Sequence, residues 1–172
     1  TYLTAEVIGH DPSAFLQFII LNRGTTSGVQ RSMPVVTHAG LAGIISEATP
    51  RASKVLLVNS AQMAVNVRLH PSRATGVLFG QSSSDLRLRF VPLDANLDAG
   101  DLAVTSGMGG TLPADIPVGE VASVRRRGYD VFQEAEVLPI VDFSALEVVL
   151  VITDFTPIDL DPLLATSEPG NP

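Results

Sequence analysis

Short apolar runs of four to eight residues, each closed by Gly, Pro, Asn, Asp or Ser, recur along this chain almost from end to end. Runs of that length, rich in Val, Ile, Leu and Phe, are strand signals, because β-branched and aromatic side chains suit a pleated, half-buried surface. The runs AEVIG, FIILNRG, MPVVTHAG, LAGIISEAT, SKVLLVN, MAVNVRL, TGVLFGQ, LRLRFVPL, LAVTSG, VGEVASVRRR, FQEAEVLPI and LEVVLVITDF predict about a dozen short strands. In DLRLRFVPL, strict alternation places Leu86, Leu88 and Phe90 on one face and Arg87 and Arg89 on the other. VGEVASV alternates less cleanly, with Val118, Glu120, Ala122 and Val124 opposite Gly119, Val121 and Ser123. Helix signals are few: Asp11 as N-cap with Pro12 at the first helical position, and a single turn in DFSALE.

Many short strands with Gly/Pro punctuation predict an all-β chain of antiparallel barrels, and a dozen are too many for one small barrel in 172 residues. Two consecutive small barrels fit, with residues 1–62 forming the first and 63–155 the second. The boundary falls in the polar interruption from Asn59 to Met63. Residues 156–172, proline-rich and acidic without strand alternation, read as a loose tail.

Composition removes whole classes of chemistry. The chain has no cysteine, so thiol catalysis, thiolate metal sites and disulfides are excluded. Its formal charge of -7 gives an electrostatic grip on nucleic acid little support, and the one basic run, Arg125-Arg126-Arg127, reads first as a solvated strand end. No apolar run approaches the ~20 residues of a membrane helix. The abrupt strand-like start suggests a segment of a longer protein whose targeting elements lie upstream.

The stretch GDLAVTSGMGGTLPADIPVG, from Gly100 to Gly119, is the one place that resembles a reactive loop, with Ser106 in a glycine-rich turn. A serine nucleophile needs a histidine base and a carboxylate behind it, yet His10, His38 and His70 all read as exposed turn or strand-end residues. A nucleophile elbow fails on spacing and on the lack of a following helix, and a phosphate loop fails because the only lysine, Lys54, lies elsewhere. No His or Asp spacing suits a metal, and Asp94 and Asp98 flank turns where they bond local backbone. The structural reading is that Asp101 after Gly100 turns into a strand and that Gly107, Gly109 and Gly110 allow left-handed backbone where the chain reverses. Thr105 and Ser106 then bond freed backbone groups, while Pro113 and Gly119 complete the turn. The competing reading is a serine hydrolase using Ser106.

Taken together, an ordered series of these motifs resembles the extracytoplasmic region of the rod shape-determining protein MreC family, from about Ala5 to Asp154. The series runs Asp11-Pro12; ILNRG with Gly28-Val29; MPVV followed by GLAGII; Ser53 and VLLV; Gly76 and Gly80 in GVLFG; GDLAVTSGMGGTLP; IPVGEV; and a closing VVLVI. Two departures are Asp115, where the family usually has glycine, and Phe15 as the aromatic after Asp-Pro. The resemblance implies two barrels arranged distantly like a chymotrypsin-type protease without a triad, no enzyme activity and no cofactor. It implies a scaffold of cell-wall elongation on the periplasmic or extracytoplasmic face of the inner membrane, anchored through an upstream segment. Its implied partners are the elongation-specific penicillin-binding transpeptidase, MreD and other elongation-complex proteins, and further copies of itself as dimers or filaments. By composition, the first surface expected to meet a partner is Arg125, Arg126, Arg127, Tyr129, Val131 and Phe132, with exposed strand edges as a second route.

Overall fold

The computed structural model describes residues 1–10, 17–81 and 85–164, and the predicted cap at Asp11 and Pro12, with Phe15, lies outside them. Twelve strands follow in order: β1 Tyr2–His10, β2 Phe18–Leu21, β3 Pro34–Val36, β4 Leu41–Ala48, β5 Ser53–Leu57, β6 Ala64–His70, β7 Thr75–Gly80, β8 Leu86–Pro92, β9 Leu102–Thr105, β10 Pro117–Arg125, β11 Phe132–Pro139 and β12 Val148–Ile152. All their ladders are antiparallel. They close into two six-stranded barrels, in the orders β1-β12-β3-β4-β5-β2 and β10-β11-β8-β7-β6-β9. Closure gives every strand a neighbour on both sides, so neither barrel has a wholly free edge strand for the strand addition expected from sequence.

The chain does not finish one barrel before starting the other. β12, assigned from sequence to a second unit spanning 63–155, returns to the first barrel and pairs there with β1 and β3. The reason is geometric: without β12 the sheet of β1 to β5 stays open between β1 and β3. The step at 59–63 is a packed crossover rather than a loose linker. Asn59 and Ser60 are buried, and Val58 and Met63 join the second barrel's core.

Each barrel has its own interior. Ile19, Leu21, Val35, Ile45, Val55 and Val151 fill the first, and Val67, Leu69, Leu78, Leu86, Leu88 and Val137 lie in the second. A fully buried Leu or Ile of this kind contributes roughly 1.5–3 kcal/mol. Val36 and Leu41, with the partly buried Ile44, Leu150 and Ile152, are first-barrel residues that pack into the second core, so the outer faces of β3, β4 and β12 form the seam.

Bulges overrule simple alternation at two predicted strands. In β8, Leu86 and Leu88 point inward as expected, but Phe90 is 51% exposed and Val91 takes the inward position. In β10, the register against β9 skips between Pro117 and Gly119, so Val118 and Val121 both turn inward although their spacing of three predicts opposite faces. An extra residue in one strand of a pair flips every side chain after it. After β12, the Ile158 N–H donates to the Gly110 carbonyl at 2.9 Å and a single helical turn, α1, covers Asp161–Leu164. The first part of the expected tail is thus tied to the second barrel.

Candidate functional site

The glycine-rich connection from β9 to β10 is built around Thr105. Its hydroxyl donates to the Pro113 carbonyl at 2.6 Å and accepts from the Ile116 N–H at 2.9 Å, with the residue fully buried. Ser106 is half-buried and its Oγ accepts the Met108 N–H at 3.2 Å, while its own N–H donates to Asn66 O at 3.0 Å. The Asn66 side-chain amide then donates to the Met108 carbonyl at 3.1 Å. Asp101 is buried and accepts the Asp98 N–H at 3.0 Å. Gly100, Gly107, Gly109 and Gly110 all hold positive φ. Gly119 has a different cause: a Cβ there would lie 2.5 Å from Leu138 O on β11. Asp115, at the family's glycine position, adopts φ +68° and its carboxylate pairs with Arg68 at 2.7 Å. Aspartate is among the few residues that enter this region at modest cost.

None of this supplies a general base to Ser106. His10, His38 and His70 are exposed, and among the described residues none is hydrogen-bonded to a serine. A cleft of about 750 Å³ is lined by first-barrel residues His10 and Phe18 together with Ile140, Asp142 and Ser144 from the segment leading back to β12. Asp142 and Ser144 bond each other there: Ser144 Oγ and N–H both donate to Asp142 Oδ1, at 2.6 and 3.1 Å. These two bonds hold the Asp142 carboxyl below its ordinary pKa and cap the 3-10 turn Phe143–Ala145. No cluster that could hold a metal ion is present among the described residues, nor a helix long and apolar enough to cross a membrane.

The predicted arginine and aromatic surface divides into parts with different jobs. Arg126 is structural: Nε donates to Gln133 Oε1 at 2.6 Å and Nη2 to the Leu97 carbonyl at 2.8 Å. Gln133, fully buried, passes the tie on to the carbonyls of Pro92 and Ala95 at 2.8 and 2.7 Å. Arg125 and Arg127 instead line a shallow groove with Arg87, Arg89, Asp130 and Glu134. Tyr129 and Val131 stand 81% and 76% exposed on the β10–β11 loop, and Phe132 is 42% exposed. Sequence reasoning missed that Arg87, Arg89 and Phe90 join this face. The alternation of β8 did put both arginines outward, but only the β8–β11 pairing brings them beside the β10 end.

Two closed six-stranded barrels whose one reactive-looking turn is bonded to its own backbone, and whose exposed features are apolar and cationic patches, define a double-barrel scaffold. Residues 7–153 match the family model described as rod shape-determining protein MreC, barrel core, and the chain belongs to this family. A cell shape-determining protein MreC of Cereibacter sphaeroides is 32% identical over 99% of this chain and 53% of its own length. The crystal structure of MreC from Pseudomonas aeruginosa superposes with a TM-score of 0.85 at 30% identity, covering 88% of this chain and 99% of that one. A Helicobacter pylori MreC, solved in complex with the penicillin-binding protein PBP2, shares the fold with a TM-score of 0.71 at 20% identity, covering 90% of this chain and 98% of that one. The chain spans about half the length of the Cereibacter relative. The family is one of cell shape-determining scaffolds, not of enzymes.

Proposed function

We propose that this chain is the extracytoplasmic double-barrel region of a scaffold for cell-wall elongation, anchored to the inner membrane by a segment outside it. It binds and activates the elongation-specific penicillin-binding transpeptidase, contacts MreD and other elongation-complex proteins, and associates with further copies of itself. The match across both barrels, residues 7–153, is the observation that carries this reading. The Helicobacter relative's complex with PBP2 supports the choice of a transpeptidase as first partner.

Activation by a scaffold requires differential affinity: the synthase population shifts only as far as the scaffold binds its active conformation better than its inactive one. A tenfold shift needs about 1.4 kcal/mol of that difference. The loop carrying Tyr129 and Val131 between Arg127 and Phe132 is the contact surface in this reading, since exposed aromatic and arginine side chains are the usual anchors of an interface. Titration calorimetry of this chain against the transpeptidase's periplasmic region tests it. Saturable binding that Tyr129→Ala weakens and Ser106→Ala leaves intact is the expected result. Absence of binding, even with a dimerising coiled coil fused upstream, would overturn the transpeptidase assignment.

A further inference from the structure

Phe90 holds φ +64°, a left-handed conformation that is a genuine outlier for a bulky side chain. The cause is the bulge in β8: the β8–β11 register passes from Leu88 opposite Ala135 to Val91 opposite Gln133, so Arg89 and Phe90 together face Glu134. An inward Phe90 would have satisfied the alternation. Instead the strain turns the ring out to solvent, where it sits edge-on to Phe79 at 6.2 Å and to Phe132 at 5.6 Å. Backbone strain that exposes an aromatic ring is a cost to the fold and points to recognition.

The surroundings of that aromatic row are cationic. In the groove Arg87, Arg89, Arg125 and Arg127 meet Asp130 and Glu134, and Glu136 stands opposite Arg87 across the ladder, leaving four cations to three acids in a chain whose formal charge is -7. Among the described residues only Arg89 of these four has an ion pair, with Glu134 at 3.9 Å. The opposite charge lies further along the same chain. Beyond β11 the chain has no Lys or Arg and carries six of its 18 acidic residues. Segment 158–163 alternates Ile158, Asp159, Leu160 and Asp161, and Ile158 and Leu163 are 63% and 73% exposed. A run of alternating apolar and acidic side chains, exposed except for the half-buried Leu160, is the complement of an aromatic row edged with arginines.

We propose that segment 158–163 of one copy docks on the Arg87, Arg89 and Phe90 face of a second copy. The assignment rests on the self-association reading above and names its two surfaces. Because face and segment are different parts of one molecule, the contact either closes as a reciprocal dimer or ring or leaves one of each unused on the end copies and extends.

Sedimentation velocity over a concentration series at low and high salt tests this. The wild type is expected to show a sedimentation coefficient that rises with concentration, to a plateau for a closed dimer or ring and without one for a filament, and that falls with salt. Reversing the face (Arg87→Glu with Arg89→Glu) or the segment (Asp159→Lys with Asp161→Lys) is expected to weaken association by about tenfold or more. Mixing the two variants restores it, because each then meets a complement. Phe90→Gly is expected to lose association with its thermal midpoint unchanged or raised, since glycine accepts φ +64° without strain. Wild-type association that neither reversal alters overturns the assignment and leaves self-association standing. Weakened variants that do not recover on mixing also overturn it. A wild type that stays monomeric throughout overturns both readings and leaves the face to an acidic partner protein.

Discussion

Thr105 and Ser106 are adjacent hydroxyls in one turn, and their surroundings separate them. Thr105 is fully buried and holds a carbonyl and an N–H from two different positions of the loop, whereas Ser106 closes a two-residue turn at a half-buried site. Thr105→Val keeps the shape and strands both backbone groups, so we expect a loss of about 2 kcal/mol in urea unfolding. Ser106→Ala should stay within about 0.5 kcal/mol of wild type by the same measurement. A large loss from Ser106→Ala with little from Thr105→Val would reverse the assignment. The residue types of this turn were readable in the sequence, because glycine and proline act locally. The ranking of the two hydroxyls was not, since burial depends on Pro113 and Ile116 closing over one of them.

At the scale of elements, the short turn after Val141 shows local chemistry acting as sequence reading expects. DFSALE forms a 3-10 turn, and Asp142 caps it through Ser144. The Ser144 hydroxyl, then its N–H, holds the carboxyl below its ordinary pKa. A depressed carboxylate pKa stabilises the fold above the ordinary carboxylate range, and that contribution is lost as pH falls through the lowered value. An NMR titration of the Asp142 side chain should therefore show an acid-shifted midpoint that moves back up in Ser144→Ala. An unchanged midpoint would remove the hydroxyl as its cause. Strands were legible for a similar reason, since alternation records a half-buried face. Bulges were not: Phe90 and Val118 carry nothing in their own identity that marks a skipped register, which is decided by the partner strands β11 and β9.

For the whole molecule, β12 is the strand that ties start to end. It closes the first barrel against Tyr2 to Glu6, and its Leu150 and Ile152 also reach the second core. Truncation after Glu147 should open the first barrel and weaken the seam. Amide exchange is expected to lose protection throughout β1 and β3, with a smaller loss in the second barrel. Retained protection in β1 would mean that the first barrel holds without its sixth strand. The identity of the family was carried by the order of short motifs along the chain, which needs no tertiary information.

Side-chain type and near-neighbour spacing are enough to specify an all-β chain of many short strands, the turn chemistry of Gly100 to Gly119, and the lack of thiol chemistry. Tertiary structure decided that β12 belongs to the first barrel, that Arg126 serves Gln133 and a carbonyl 29 residues away, and that Arg87, Arg89 and Phe90 share a face with Arg125 and Phe132. Those outcomes rest on pairing between strands distant in sequence. Register and closure are properties of the pair and of the barrel, and no single strand encodes them.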